Sequence, residues 1–282
     1  MSLSDATAER LEECAERPLP AAIDHHFATR RHCRLLILDD SWRADPNWYP
    51  LCQALGAPHV LRESFYQRPW HWLQSRYDAQ PFDIQRGLPR RPPKPRGSVY
   101  ARFDPRLQMT LRLRVCEFER DVERLHGWMQ CERVARFWQQ NKPRAAFDEW
   151  MTQRLAEPHR LSLIGEFDGE PFGYFELYWA PEDVLGGYYG WQAFDRGLHV
   201  LVGEDNFRGA HFVDGWLSAL QHYAYLSEPR TERVVLEPDA GNERIFRHLE
   251  RLGLFSHGEF DLPDKRAALV MGTRRHFFAE VM

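Results

Sequence analysis

"FDRGLHVLVGEDNFRGAHF" (194–212) sets a histidine inside an apolar run, then opens into acids, asparagine, arginine and glycine. "LHVLV" (198–202) has the alternation of a strand, which puts Leu198, Val200 and Val202 on one face and His199 with Leu201 on the other. A histidine on a buried strand must satisfy its ring nitrogens, either as an inert core residue or as a group that handles protons. The following "GEDNFRGA" (203–210) leads from a strand end to a helix start, where free N–H groups and the helix dipole favour an anion. Gly203 and Gly209 allow close backbone approach and Arg208 adds positive charge, so the loop reads as a pyrophosphate cradle. It has neither the Gly-Lys-Ser/Thr ending of a Walker loop nor the glycine spacing of a dinucleotide-binding fingerprint.

Downstream, a helix over 208–226 carries Phe212, Trp216, Leu220 and Ala224 on one stripe, with Val213 and Leu217 beside it, which is core spacing. The strand "RVVLEP" (233–238) comes next, and "EPDAGN" (237–242) closes it and opens a helix that buries Ile245, Phe246, Leu249 and Leu252 before stopping at Gly253. A strand–helix–strand crossover brings the two strand ends together, and with them His199 and Asp239; Asp239 also reads as a helix N-cap. Upstream, "MTLRLRVCEF" (109–118) alternates as a strand, and "RDVERLHGWMQCERVARFWQQ" (120–140) has helical spacing at Val122, Leu125, Trp128 and Met129. "AAFDEWMTQRLAE" (145–157) is a further helix, and "LSLIGEFDGEPFGYFELYWA" (161–180) a hairpin turning at Asp168-Gly169. "LFSHGEFD" (254–261) and "RAALVMG" (266–272) finish the chain as strands. The order β-α-α-β-β-β-α-β-α-β-β predicts an α/β domain with a largely antiparallel start and a crossover in the middle.

The N-terminal part is less regular. "CRLLILDD" (33–40) reads as a strand and "PNWYPLCQALGA" (46–57) as a short helix stopped by Gly56. "RGLPRRPPKPRG" (86–97) is too rich in proline for helix or central strand, so it is an extended connector, either a solvated linker or a basic lip that attracts anions. The expected organisation is an accessory region over 1–85, this connector over 86–97, and the main domain over 98–282. His25 and His26 lack a third metal ligand at a recognisable spacing, so no metal site is expected.

At 282 residues with a formal charge of -4, the chain has no overall field for nucleic acid or an anionic membrane. Its five cysteines are scattered, with no paired motif, which favours a reducing compartment. The first twenty residues have no apolar core of a secretory signal, and no run approaches the roughly 20 apolar residues of a membrane span, so a cytoplasmic location is expected.

The run from "RGLHVLVGEDNFRGAHF" through "EPDAGNERIFRHLERLG" (196–253), with "FELYWAPEDVLGGYY" (175–189) and "LRLRVCEFERDVERLHGWMQCERVARFW" (111–138), resembles the acyl-CoA acyltransferases of hydroxamate siderophore biosynthesis. The resemblance covers about residues 98–275 and implies the GCN5-related N-acetyltransferase (GNAT) fold, a mixed sheet flanked by helices. It implies an acyl-CoA co-substrate, acetyl-CoA first, and transfer to an N-hydroxylated amine such as N-hydroxylysine, N-hydroxyornithine or a hydroxylated diamine. By the same resemblance, His199 and Asp239 would be catalytic. The backbone of Val200, Leu201 and Val202 would face the pantetheine arm, Arg208, Gly209 and Ala210 the pyrophosphate, and Asn242 the cofactor. Trp179, Tyr188 and Tyr189 would wall the amine's alkyl chain, and Glu182 or Asp183 would hold a distal ammonium. His211 departs from the pattern, standing where many relatives have a small residue. The competing readings are a GNAT enzyme for another amine, such as an aminoglycoside or a protein terminus, and a non-catalytic acyl-CoA-binding module. A homodimer is a possible assembly.

Overall fold

The computed structural model describes residues 7–11, 16–55, 58–75, 82–83 and 87–282. Gly56, read as a helix stop, Cys14 and the first residue of the connector lie outside them.

The N-terminal part holds β1 (Thr7–Leu11), α1 (Leu19–Thr29), β2 (Cys33–Leu38), α2 (Trp48–Leu55), β3 (His59–Leu61) and α3 (Arg62–Tyr66), followed by a short pair, β4 (Phe82–Asp83) and β5 (Leu88–Pro89). β1, β2 and β3 form a small sheet in that order. The main part runs β6 (Ser98–Asp104), β7 (Met109–Val115), α4 (Phe118–Gln130), α5 (Glu132–Trp138), α6 (Arg144–Ala156), β8 (Arg160–Phe167), β9 (Glu170–Trp179), β10 (Arg196–Val202), α7 (Ala210–Ser227), β11 (Arg233–Leu236), α8 (Glu243–Arg251), β12 (Phe255–Asp261) and β13 (Arg266–Thr273). The chain ends in a short helical segment over Arg274–His276 and Phe277–Val281. Its eight strands form one sheet in the order β12-β13-β11-β10-β9-β8-β7-β6.

Two elements differ from the sequence reading. The helix expected over 120–140 is two helices, because Cys131 takes an extended conformation between α4 and α5. β6 was not foreseen, since it follows directly on the proline-rich segment and its apolar alternation is interrupted by Arg102, whose charge is met by Asp24 at 2.7 Å. The β8–β9 hairpin turns where its sequence requires: Asp168 and Gly169 both have positive φ, 49° and 86°, as a two-residue turn of this hand demands.

Strand parity sorts the side chains. Phe175, Leu177 and Leu198 face α7, where Phe175 stacks on Trp216 with centroids 5.3 Å apart. Ile164, Tyr174 and Leu201 face α4–α6, packing with Leu125, Trp128, Phe147 and Met151. The core against α7 continues into the N-terminal part, where Tyr66, Trp72 and Tyr100 surround the buried His222 of α7. His222 is fully hydrogen-bonded there, to Tyr100 Oη at 3.0 Å and the Tyr66 carbonyl at 2.6 Å. Among the described residues, no helix is long and apolar enough to cross a membrane.

The connector is extended, as its prolines dictate, but it is not a free linker. Lys94 donates to the Leu155 carbonyl at 2.6 Å and Arg91 pairs with Glu182 at 2.5 Å, so the strap lies along the main domain.

Candidate active site

β10 and β11 are parallel neighbours, yet they pair only at Arg196↔Val234 and Gly197↔Val235. Beyond that point they diverge, whereas β9 stays paired with β10 from Trp179↔Arg196 to Gly173↔Val202. The result is a fork whose β10 side has a free backbone edge. α7 follows it through the 203–209 loop, and no side chain caps its first turn. Those unclaimed amides face the end of the fork as an anion would need.

His199 lies at the fork, between two carboxylates. Its Nδ1 is 2.7 Å from Glu176 Oε2, directly across the strand pair, and its Nε2 is 2.5 Å from Glu237 Oε1, just past the end of β11. Arg160 Nη1 lies 2.5 Å from Glu176 Oε2 and 3.2 Å from His199 Nδ1, so ring and guanidinium converge on one oxygen. Tyr174 donates to Glu176 at 2.9 Å, and Tyr178 donates to Glu237 at 2.7 Å while its ring lies 4.6 Å from the imidazole. Trp138, at the end of α5, adds an edge contact at 6.3 Å.

Burial alone would lower the His199 pKa, but Glu237 and Glu176 outweigh it and raise the imidazole to about 9. Burial would likewise raise Glu176, yet His199, Arg160 and Arg154 hold it well below the carboxylate range. His199 is therefore an imidazolium at neutral pH. A group so held keeps its proton when folded and releases it when unfolded. Its contribution to stability is complete below about 6.5 and is lost as pH rises through about 9. His222 acts oppositely: burial pushes it down to about 3, the unfolded chain takes the proton first, and stability falls as pH drops below about 6.5. Melting temperature measured against pH should peak near neutrality. His199→Gln should flatten the alkaline decline and leave the acid limb, and equal change in both limbs would contradict the assignment.

Gly197 makes this packing possible. A Cβ there would lie 1.9 Å from the Tyr178 ring, which crosses β10 at that residue. Gly197→Ala should cost about 1–3 kcal/mol in denaturant unfolding, as overpacking does, and should lower turnover by displacing Tyr178 from Glu237. Wild-type values for both would refute it.

The residues expected from sequence are distributed as follows. Asp239 does not meet His199; its Oδ1 accepts the Gly241 amide at 2.8 Å, a turn-capping role, and Glu237 two residues earlier meets the imidazole instead. The reason is parity. Gly197 pairs with Val235, so the next side chain on the His199 face is that of Glu237. Val200, Leu201 and Val202 line the fork edge, although the Val202 carbonyl is taken by Arg133 at 2.6 Å. Gly209 and Ala210 form the start of α7; Arg208 is paired with Asp205 at 3.0 Å. The His211 ring folds back onto Gly209, where a Cβ would come within 2.4 Å of it. Asn242 precedes α8 and its side chain caps nothing.

On the amine side, Trp179 lies on the α7 face, under the guanidinium groups of Arg91 and Arg196 at 4.0 and 3.9 Å. Glu182 pairs with Arg91, and Asp183 is held by Arg160 at 2.5 Å and His159 at 3.1 Å, so neither carboxylate is idle. Tyr188 packs on Phe260, and Tyr189 donates to Asp195 at 2.9 Å. Glu176, Glu237 and Arg160 were the residues sequence reasoning passed over. The signal was present: an acid inside "YFELYW" cannot be buried without a cation. Elsewhere, Glu9, His26 and Cys33 place ligand-type atoms within 4.8 Å of one another, the partners for the histidine pair that spacing had hidden. Arg30 shares that Glu9 carboxylate at 2.5 Å.

A mixed sheet that splits between two parallel strands, with a helix start at its open end, is an acyl-CoA-binding architecture, and residues 117–262 match the model of the Acetyltransferase (GNAT) domain. The chain belongs to the GNAT family. This GNAT chain is 42% identical over 267 residues to the N(6)-hydroxylysine O-acetyltransferase of Escherichia coli, covering 92% of this chain and 84% of that protein. It is 36% identical over 246 residues to a hydroxyornithine transacylase of Ajellomyces capsulatus, covering 86% of this chain and 53% of the relative. Among solved structures, an aminoglycoside acetyltransferase in complex with coenzyme A superposes with a TM-score of 0.54 at 23% identity, over 59% of this chain and 96% of the other. That last likeness is one of fold. The GNAT chain is thus an acyltransferase, of a fold that binds acyl-CoA.

Proposed function

We propose that this enzyme transfers an acyl group, acetyl first among candidates, from coenzyme A to the nitrogen of an N-hydroxylated amine, giving a hydroxamate for siderophore biosynthesis. The observation that carries the reading is the fork between β10 and β11, bridged by the His199–Glu237 contact of 2.5 Å. The names of the relatives supply the acceptor class.

In this reading the thioester lies between the strands. The free edge at Val200, Leu201 and Val202 meets the pantetheine amides, and the start of α7 with Arg208 meets the pyrophosphate; Asn242 lines the cofactor. The amine nitrogen attacks the thioester carbon; the C–N bond forms and the C–S bond breaks. The N–H proton goes to the Glu237 carboxylate and the His199 imidazolium protonates the departing thiolate. Proton return from Glu237 to His199 restores the pair. Backbone N–H groups on the free edge stabilise the oxyanion. Glu176 and Arg160 keep the ring charged and oriented. A hydroxylamine nitrogen is far less basic than an alkylamine and arrives uncharged, so a carboxylate suffices as the proton acceptor.

A thiol-release assay tests the reading, with acetyl-CoA and N-hydroxylysine, N-hydroxyornithine and N-hydroxycadaverine, each beside its unhydroxylated parent. Turnover of at least one hydroxylated amine should exceed that of its parent by about tenfold or more. Equal rates, or turnover confined to an aminoglycoside, would reject it.

A further inference from the structure

Arg196 opens β10 on the face opposite His199 and is only 5% exposed. No carboxylate pairs with it: its Nε has no hydrogen-bond partner, and its guanidinium contacts the Trp179 ring at 3.9 Å. Arg91 lies over the same ring, and both of its terminal nitrogens are buried without a partner. Two buried guanidinium groups thus share one indole face region and keep unspent donors. An unpaired buried cation is costly, and a cation–π contact offsets only part of that cost. Burial, with Arg91 nearby, pulls the Arg196 pKa down to about 10, so it still carries its charge at neutral pH.

Arg196 also lines a cavity of about 100 Å³, roofed by Pro92, Pro93 and Pro95 of the strap and floored by Leu177 and Tyr223. Arg160 lines the same cavity and reaches His199 and Glu176 on its other side. The cavity and the reaction centre therefore share a side chain. A planar anion matches the fork-like donors of arginine.

We propose that Arg196, beneath the Pro92–Pro95 strap, is the carboxylate-binding subsite of this enzyme and holds a carboxylate borne by one of its two substrates. The inference rests on the acyltransfer reading for the substrates' identity. The carboxylate has two sources: the α-carboxylate of an amino-acid-derived hydroxylamine, or the far end of a dicarboxylic acyl chain.

Kinetics separate them. With acetyl-CoA, the wild-type enzyme is compared on N-hydroxylysine and on N-hydroxycadaverine, which differs only by lacking the carboxylate; with one acceptor, succinyl-CoA is compared with acetyl-CoA. If the acceptor supplies the anion, KM for N-hydroxylysine is lower by about tenfold or more, and Arg196→Gln abolishes that difference with kcat little changed. If the donor supplies it, succinyl-CoA shows the preference and loses it in the same variant. Absence of both preferences in wild type overturns the proposal while leaving the acyltransfer reading intact. Calorimetric titration of the full chain with succinate reads the subsite without turnover. Wild type should bind, and Arg196→Gln and Arg196→Met should bind about tenfold or more weakly. Equal binding by folded variants, or no binding by wild type, also overturns it.

Discussion

Replacing His199 by alanine is expected to lower kcat by about 10²–10⁴-fold, the usual contribution of a group that moves a proton in the rate-determining step. Among the described residues it is the side chain that links β10 to the end of β11 across the fork, through Glu237 at 2.5 Å. It is also held as an imidazolium, ready to protonate a thiolate. KM for acetyl-CoA should change little, because the backbone edge of β10 and the start of α7 are untouched. The loss thus falls on the chemical step. Residual activity remains, since oxyanion stabilisation by backbone amides does not depend on the ring. Steady-state thiol release at saturating substrates decides it, with a melting curve to confirm folding. An unchanged kcat would remove His199 from the mechanism.

Arg160→Leu is expected to destabilise the chain by about 3–5 kcal/mol, the cost of leaving a buried carboxylate without its cation. The guanidinium serves three acids at once: Glu176 at 2.5 Å, Asp183 at 2.5 Å and Glu157 at 2.6 Å. Glu176 is 0% exposed and has no water to fall back on. Pairing the change with Glu176→Leu should recover part of the loss, because an apolar pair removes the stranded charge as well. Denaturant unfolding of the single and double variants measures this. A single-variant cost below about 1 kcal/mol, as for an exposed ion pair, would contradict the picture. The same network explains why Asp183 is a poor candidate for gripping a substrate ammonium: its charge already balances Arg160 and His159.

What the sequence disclosed and what it hid follow from the range of each signal. The Asp168-Gly169 turn, the α7 stripe and the stop at Gly253, with φ of +73°, are local, and each stands where its residues place it. The face assignment on β10 is local too, with Leu198 and Val200 in one core and Leu201 in the other. The break at Cys131 is not legible, since no proline or glycine marks it and helical spacing continues on both sides. The partner of His199 depends on the register of β10 against β11, two strands separated by the whole of α7. Reading "VVLEPD" by loop position selects Asp239; reading it by alternation from Val235 selects Glu237. The strap was judged by composition alone, which gives its extended shape but not the contacts of Arg91 and Lys94.

The most direct test of the fork as the reaction centre is a crystal structure of the full chain with coenzyme A. The account predicts the pantetheine arm between β10 and β11, the pyrophosphate at the start of α7, and the thiol within hydrogen-bond reach of His199 Nε2, or one water away. A thiol seated elsewhere, with the His199–Glu237 contact closed and the strands unparted by ligand, would contradict it.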